Sequence, residues 1–365
     1  MLTLSSSVTN GTALLRLFIG TYTHQSSCGI YTSLFNAEQG TLEEPVLAAE
    51  CDNPTFLAIH PFKPFLYAIG KFPKGMLRAF HYGKNNGALV PINEQEIPGH
   101  GPCHLAVCPS TDGQTDAVVV ANYGSGSVVS FPISDDGKIG AAASQITHTG
   151  SGPNSARQQA PHVHGVHYDG SMVAAVDLGI DRVVFYRLDP VTAKLLQPVD
   201  RADLQLPPGA GPRHCVASKD QQFLYVVNEL DSTVSVFDWR MSESRHPIQS
   251  VSTLTAEKET GELHNTAAEI ALHPNGNFLY ASNRGDDSIA VFAVDSEVPL
   301  LIQNAPSGGK TPRFFCLDPT GRFLLACNQD SGNICVLAVD LKTGMLTPTG
   351  RSVAVSQPAC LVFAR

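Results

Sequence analysis

The sequence predicts an all-β protein, a seven-bladed β-propeller of four-stranded antiparallel blades whose N- and C-terminal strands share one blade. Three observations carry this. The chain has 365 residues, too many for an ordinary single-core domain of roughly 100–200 residues. Turn formers are abundant (Gly 31, Pro 25) and charged residues are few (16%), while 43% of residues are hydrophobic, as packed strands require. Equivalent anchor positions recur at Pro54, Pro102, His162, Pro212, Ala267, Pro312 and Pro358, separated by 48, 60, 50, 55, 45 and 46 residues. Self-similarity at this period marks a repeat architecture.

The elements follow in chain order. LFIGTYT and GIYTSLF near the N-terminus read as second and third strands lacking a first. Within each later unit a short first strand is followed by two more, as in EIALHP, NFLYASN and SIAVFAV, separated by Pro-Asn-Gly or Gly-Asp-Asp turns. QFLYVVN/TVSVFDW, VAAVDLG/RVVFYRL and RFLLACN/NICVLAV repeat the second and third strands. A fourth strand fits the stretch before each next anchor, as in HPIQSVSTL, so each unit is a meander that stacks radially as a blade. PACLVFA at the C-terminus is a first strand lacking the rest. Pairing it with the N-terminal strands closes the ring and removes the exposed sheet edges. The expected division is an N-terminal extension over 1–16 and one propeller over 17–365, with 142–160 and 240–266 as the longest inter-blade loops. A doubly wound α/β fold would need amphipathic helices, and no sustained 3.6-residue periodicity occurs.

Lys+Arg 24 against Asp+Glu 33 gives a net charge of −9, which argues against nucleic acid or an anionic membrane as partner. The apolar run 13–20 is short and interrupted by Arg16, unlike a signal peptide or a membrane span. Nine cysteines, with no CxxC, mostly within apolar runs, fit reduced buried thiols. A cytoplasmic protein, monomeric or weakly homodimeric and without cofactor, is expected.

Residues at equivalent repeat positions share a location, and the start of a first strand lies beside the end of the second. One residue after each anchor stand Thr55, Cys103, Val163, Arg213, Ala268, Arg313 and Ala359. Two after it stand Phe56, His104, His164, His214, Glu269, Phe314 and Cys360. Just past the second strand come Lys71, Tyr123, Leu178, Glu229, Arg284 and Gln329. With first strands lining the channel, these sets converge on one channel mouth, the form a site takes on a repeat scaffold. From them His104, His214, Glu269, Arg313, Tyr123 and Gln329 are expected to bind substrate. Lys310 in GGKTPR joins them, its alternative reading being a solvated loop charge. His162 and His167 flank His164 and qualify by proximity alone. His60 and His273, in the HP turns, read as turn punctuation on the opposite rim. There is no GxSxG, HExxH or Walker sequence.

GPRHCVASKDQQFLYVVNELDSTVSVF, AAEIALHPNGNFLYASNRGDDSIAVF, TPRFFCLDPTGRFLLACNQDSGNICVL and the opening FIGTYT closely resemble the seven-bladed propeller lactonase family, which includes the propeller type of 6-phosphogluconolactonase and the fungal carboxymuconate lactonizing enzyme. The resemblance runs from about Leu17 to Phe363. It implies a catalytic cluster of His164 in HVHG, Arg213 in PRH, Glu229 in NEL and Arg284 in SNRG. It also implies hydrolysis of a small anionic sugar-acid lactone, as in the pentose phosphate pathway. In such a scheme His164 or Glu229 activates the water, one of Arg213 and Arg284 stabilises the oxyanion, and the other holds the substrate's phosphate or carboxylate. Three alternatives stand beside it: a carboxymuconate cycloisomerase, a non-catalytic propeller scaffold with Trp239 as its one tryptophan anchor, and a metal-dependent lactonase using oxygens of Glu269, Asn228 and Asn283. No metal is expected, because the neighbouring arginines oppose a divalent cation.

Overall fold

Seven antiparallel sheets surround one axis, six of them built outward in chain order. The computed structural model describes residues 14–364 apart from 71–73, 84–85, 111–114, 199–200, 240–244, 260–263 and 295–297. Lys71, one of the expected rim residues, lies outside the described residues. Blades 1 to 6 occupy residues 54–96, 102–147, 163–205, 212–252, 266–306 and 312–354. Blade 7 takes its inner strand from Pro358–Phe363 and its other strands from Leu14–Thr21, Gly29–Asn36 and Val46–Glu50. The closure expected from the termini is therefore present, with Leu17 opposite Phe363 and Gly20 opposite Cys360. Its first strand begins at Leu14, so it takes in the last three residues of the expected extension.

Side-chain alternation explains why the blades need one another. In Asp116–Asn122 of blade 2, Val118 and Val120 pack against blade 1, while Val119 and Ala121 pack against blade 3. Neither face of such a strand meets water, so its apolar run is continuous. Seven apolar clusters result, each spanning two adjacent blades, and the last joins blade 7 to blade 1. The outer strands are the fourth strands anticipated; Gln249–Ser252 lies within HPIQSVSTL, and Ser144–Thr147 occupies the start of the loop expected over 142–160. The outer strand of blade 3 is split into Leu195–Leu196 and Leu204–Gln205. The helix Ala256–Glu259 is a single turn, and no helix among the described residues is long and apolar enough to cross a membrane.

The HP turns have the structural role expected of them. His60 Nδ1 accepts the N–H groups of Phe62 and Lys63, both at 3.1 Å, and its Nε2 meets Asp116 at 3.0 Å. His273 Nδ1 accepts Asn275 N–H, and its Nε2 faces the Gly321 carbonyl at 2.9 Å. Trp239 is buried, its indole N–H donating to the Gln221 carbonyl at 2.8 Å, so it offers no surface anchor.

The inner strands line the channel, each touching the next around a closed ring. Every one carries a bulge at its start, immediately after the first paired residue in six of them and after the second, Ala267, in blade 5. In blade 4 Pro212 opposes Asn228 and His214 opposes Val227, which leaves Arg213 unpaired. A bulge re-aims the residue it carries. The equivalent residues are Thr55, Cys103, His164, Arg213, Ala268, Arg313 and Ala359. One expected alignment is corrected here: Val163, not His162, opposes the last residue of the second strand, Asp177. His164 is thus the equivalent of Arg213 and Cys103, and Gly165 is the equivalent of His104 and His214.

Candidate active site

At the channel mouth the re-aimed residues and the residues past the second strands enclose a cavity of about 500 Å³, whose walls include Tyr123, Arg157, His164, Glu229, Arg284 and Arg313. Its organising feature is a buried carboxylate shared by three guanidinium groups. Glu229 Oε1 accepts from Arg157 Nη2 at 2.6 Å, and Oε2 accepts from Arg213 Nε at 3.1 Å and Arg284 Nη2 at 3.0 Å. Burial pushes the Glu229 carboxyl upward, but the charges of Arg284 and Arg213 and the hydrogen bond from Arg157 outweigh it and hold the group at about 2. Its backbone is fixed as well, Glu229 N–H donating to Gly211 C=O at 2.7 Å.

Each arginine is placed differently. Arg213 is 2% exposed and donates a second bond, Nη1 to the Ala268 carbonyl at 2.5 Å. Burial, with Arg284 and Arg313 nearby, lowers it to about 9, still protonated at neutral pH. Arg284 Nη2 also donates to the Ala267 carbonyl at 3.0 Å, while its buried Nε has no acceptor among the described residues. Arg313 has no carboxylate partner among the described residues and lies over the Tyr22 ring, 5.6 Å from its centre. Tyr123 receives Arg157 Nη2 at 3.2 Å and is stacked on His162, whose Nδ1 lies 2.8 Å from the Tyr123 carbonyl. His162 is therefore a support for Tyr123. His164 is 6% exposed, its ring edge-on to Tyr123 at 5.6 Å.

Beneath this cavity the next ring of residues closes the channel. Phe56, His104 and His214 pack with centroid separations of 4.0 Å (Phe56–His104) and 4.6 Å (His104–His214). Glu269 accepts from His214 Nδ1 at 3.1 Å and from Ile270 N–H at 3.1 Å. Burial raises Glu269 to about 7 and pushes both histidines well below their ordinary value. Arg213 Nη1 lies 3.4 and 3.5 Å from the two ring nitrogens of His214, the distances of a guanidinium stacked on the ring.

Of the residues expected to bind substrate, Tyr123 and Arg313 are in the cavity wall, whereas His104, His214 and Glu269 lie in the closed layer below. Lys310 is exposed, and neither it nor Gln329, whose amide turns to Asp330 at 3.3 Å, is among the wall residues. Of the four cluster residues, His164, Glu229 and Arg284 reach the cavity; Arg213 stands behind Glu229. Sequence reasoning missed Arg157 and His264, which occupy inter-blade loops without repeat equivalents. A signal existed for Arg157, the only Lys or Arg between Lys138 and Arg182. Of the oxygens considered for a metal, Asn283 Oδ1 accepts from Thr253 and Asn265 and Glu269 serves His214, while Asn228 Oδ1 is buried with no hydrogen-bond partner among the described residues. Among the described residues no group of three or more His, Cys, Asp or Glu is arranged to hold a metal ion.

Comparison with known proteins agrees with this architecture. Residues 16–363 match the family model described as Lactonase, 7-bladed beta-propeller. The chain is 36% identical to a 6-phosphogluconolactonase of Bacillus subtilis, over 95% of this chain and 97% of that one. It is 30% identical to a 6-phosphogluconolactonase of Formosa agariphila, over 82% and 86% of the two chains. The structure of the periplasmic gluconolactonase of Pseudomonas aeruginosa superposes with a TM-score of 0.89 at 32% identity, covering 97% of this chain and 99% of that one. The chain therefore belongs to the seven-bladed β-propeller lactonase family, hydrolases of cyclic carboxylic esters.

Proposed function

We propose that this lactonase hydrolyses a phosphorylated sugar-acid lactone of the 6-phosphogluconolactone type. The observation that carries this reading is the charge of the site: three arginines (Arg157, Arg213, Arg284) share one carboxylate, Glu229, and a fourth, Arg313, stands in the same cavity wall, in a protein of net charge −9. Such an excess favours an anionic ligand and a developing oxyanion. The names of the relatives from Bacillus subtilis and Formosa agariphila point the same way.

Glu229, held at about 2, is a poor acceptor of a proton at neutral pH, so the base is assigned to His164 in the cavity wall. Water oxygen attacks the carbonyl carbon as His164 takes the proton. The oxyanion forms against Arg284, whose Nε–H lacks a protein acceptor among the described residues. Collapse breaks the bond to the ring oxygen, which receives the proton and gives the open-chain acid. Arg313, with no carboxylate partner among the described residues, receives the substrate's anionic group. Arg213 serves by keeping Glu229 in place, so that Glu229 in turn orients Arg284.

The reading is tested by assaying 6-phosphogluconolactone and carboxymuconate side by side, with and without chelator. Lactone opening that survives chelation is expected. Faster cyclisation of the muconate would assign the cycloisomerase reaction instead, and activity lost on chelation would overturn the metal-free scheme.

A further inference from the structure

Arg157 differs from the other two arginines on Glu229 in how it is held. Arg213 and Arg284 each have a second anchor on a backbone carbonyl, and their side chains are 3% and 14% exposed. Among the described residues Arg157 has only the Tyr123 hydroxyl as its second partner, and its side chain is 38% exposed. It reaches the cavity from the solvent side, on the strap of chain between blades 2 and 3.

The root of this arginine is fixed by the strap itself, independently of the contacts that its tip makes. Asn154 Oδ1 accepts the N–H groups of Ala156 and Arg157, both at 3.2 Å. Gln158, fully buried, donates through Nε2 to the Leu178 carbonyl at 2.8 Å and to Asp181 Oδ1 at 2.7 Å. Asp181 also accepts from Gly209 and Gly211 N–H, at 2.7 and 2.8 Å, in the loop that leads directly into Arg213. A side chain on so firm a base can change partner by rotamer motion alone, without moving the strap.

We propose that Arg157 is the exchangeable arginine of the site: it leaves Glu229 and joins Arg313 on the phosphate of a phosphorylated lactone, selecting the phosphorylated substrate over its neutral counterpart. Glu229 keeps two arginines when Arg157 departs, so the exchange leaves no buried charge unpaired. A phosphate dianion offers a guanidinium more charge and more acceptor oxygens than one shared carboxylate. The proposal rests on the substrate reading above.

The test compares wild type with Arg157→Met and Arg157→Lys on 6-phosphogluconolactone and on unphosphorylated gluconolactone. The ratio of the two kcat/KM values is expected to fall about 10- to 100-fold in Arg157→Met and to recover in part in Arg157→Lys. A ratio within about threefold of wild type, even if both rates drop, overturns the proposal, because a merely structural arginine serves both lactones alike. Calorimetric binding of 6-phosphogluconate against gluconate gives a readout that needs no turnover. Wild type should prefer the phosphate, and Arg157→Met should lose that preference; equal preference in both overturns the proposal. Wild type that opens neither lactone would overturn the substrate reading, and the calorimetry would still decide Arg157.

Discussion

Arg213 and Glu229, sixteen residues apart, form a buried ion pair at 3.1 Å directly behind the cavity, one from a bulge in the inner strand of blade 4 and the other from the turn after its second strand. The pair belongs to one blade, so the blade's own register sets its geometry. Arg284 from blade 5 and Arg157 from the strap then complete the carboxylate's shell. Local pairing thus fixes the centre, and assembly of the ring completes it.

Glu229→Gln should remove both stability and activity. The carboxyl is held at about 2 in the fold against an ordinary value near 4.5, so its contribution is fully present above about pH 4.5 and is lost as pH falls through 2. The shift corresponds to about 3 kcal/mol, in the range for breaking a buried ion pair. Urea melts at pH 7 should show a loss of that order, and kcat should fall at least about 100-fold because Arg284 loses its orienting partner.

Arg213 and Arg313 should separate by kinetics. Arg213→Lys keeps a charge but cannot reach Glu229 and the Ala268 carbonyl together, so kcat should fall about 10- to 100-fold with KM little changed. Arg313→Gln removes the contact proposed for the substrate's anionic group, so KM should rise about 10- to 100-fold with a smaller change in kcat. Steady-state kinetics on the phosphorylated lactone distinguishes the two. The reverse pattern would exchange their roles.

The blades were legible because each repeats the same alternation and the same turn residues, and the rim positions followed from that alignment. Blade 3 was misaligned by one residue for a physical reason. PHVHGVH offers a histidine at 162, 164 and 167, and the blade lacks the proline that marks the anchor in five of the other six, so spacing by histidine chose the wrong pairing. Bulges are invisible in composition, yet the bulge decides that His164 and Arg313 face the cavity while His104 and His214 are turned into the closed channel. Arg157 escaped because a loop residue has no repeat equivalent against which to be read.

Gly165 tests the corrected alignment. It occupies in blade 3 the place that His104 and His214 occupy in their own blades, and a Cβ there would lie 2.6 Å from the Arg213 carbonyl oxygen and 3.0 Å from His214 Cδ2. The first of these atoms is backbone and cannot yield without shifting the inner strand of blade 4. Gly165→Ala should therefore destabilise by about 1–3 kcal/mol and lower kcat through displacement of Arg213. Wild-type melting and kinetics in this variant would show that blades 3 and 4 do not meet as closely as described.

Glu269→Gln should stabilise the protein at alkaline pH. Burial raises the folded value of Glu269 to about 7 from an ordinary value near 4.5, so the native state binds a proton that the unfolded chain has already released. Its favourable contribution is complete below about pH 4.5 and disappears as pH rises through 7, leaving a buried carboxylate at pH 8. Glutamine keeps an oxygen to accept from His214 Nδ1 and carries no charge. His104 and His214 act in the opposite sense, because burial depresses both, and protonating them in acid favours the unfolded chain. The difference between variant and wild type cancels the background that both share. That difference in unfolding free energy should be small at pH 4.5 and should grow to as much as about 3 kcal/mol in favour of Glu269→Gln by pH 8. A difference that does not change with pH would place an ionised Glu269 in the native state throughout. Arg213 would then have to supply the compensating charge from above, and Glu269→Gln would weaken the stacking of Arg213 on His214 instead of relieving a burial cost.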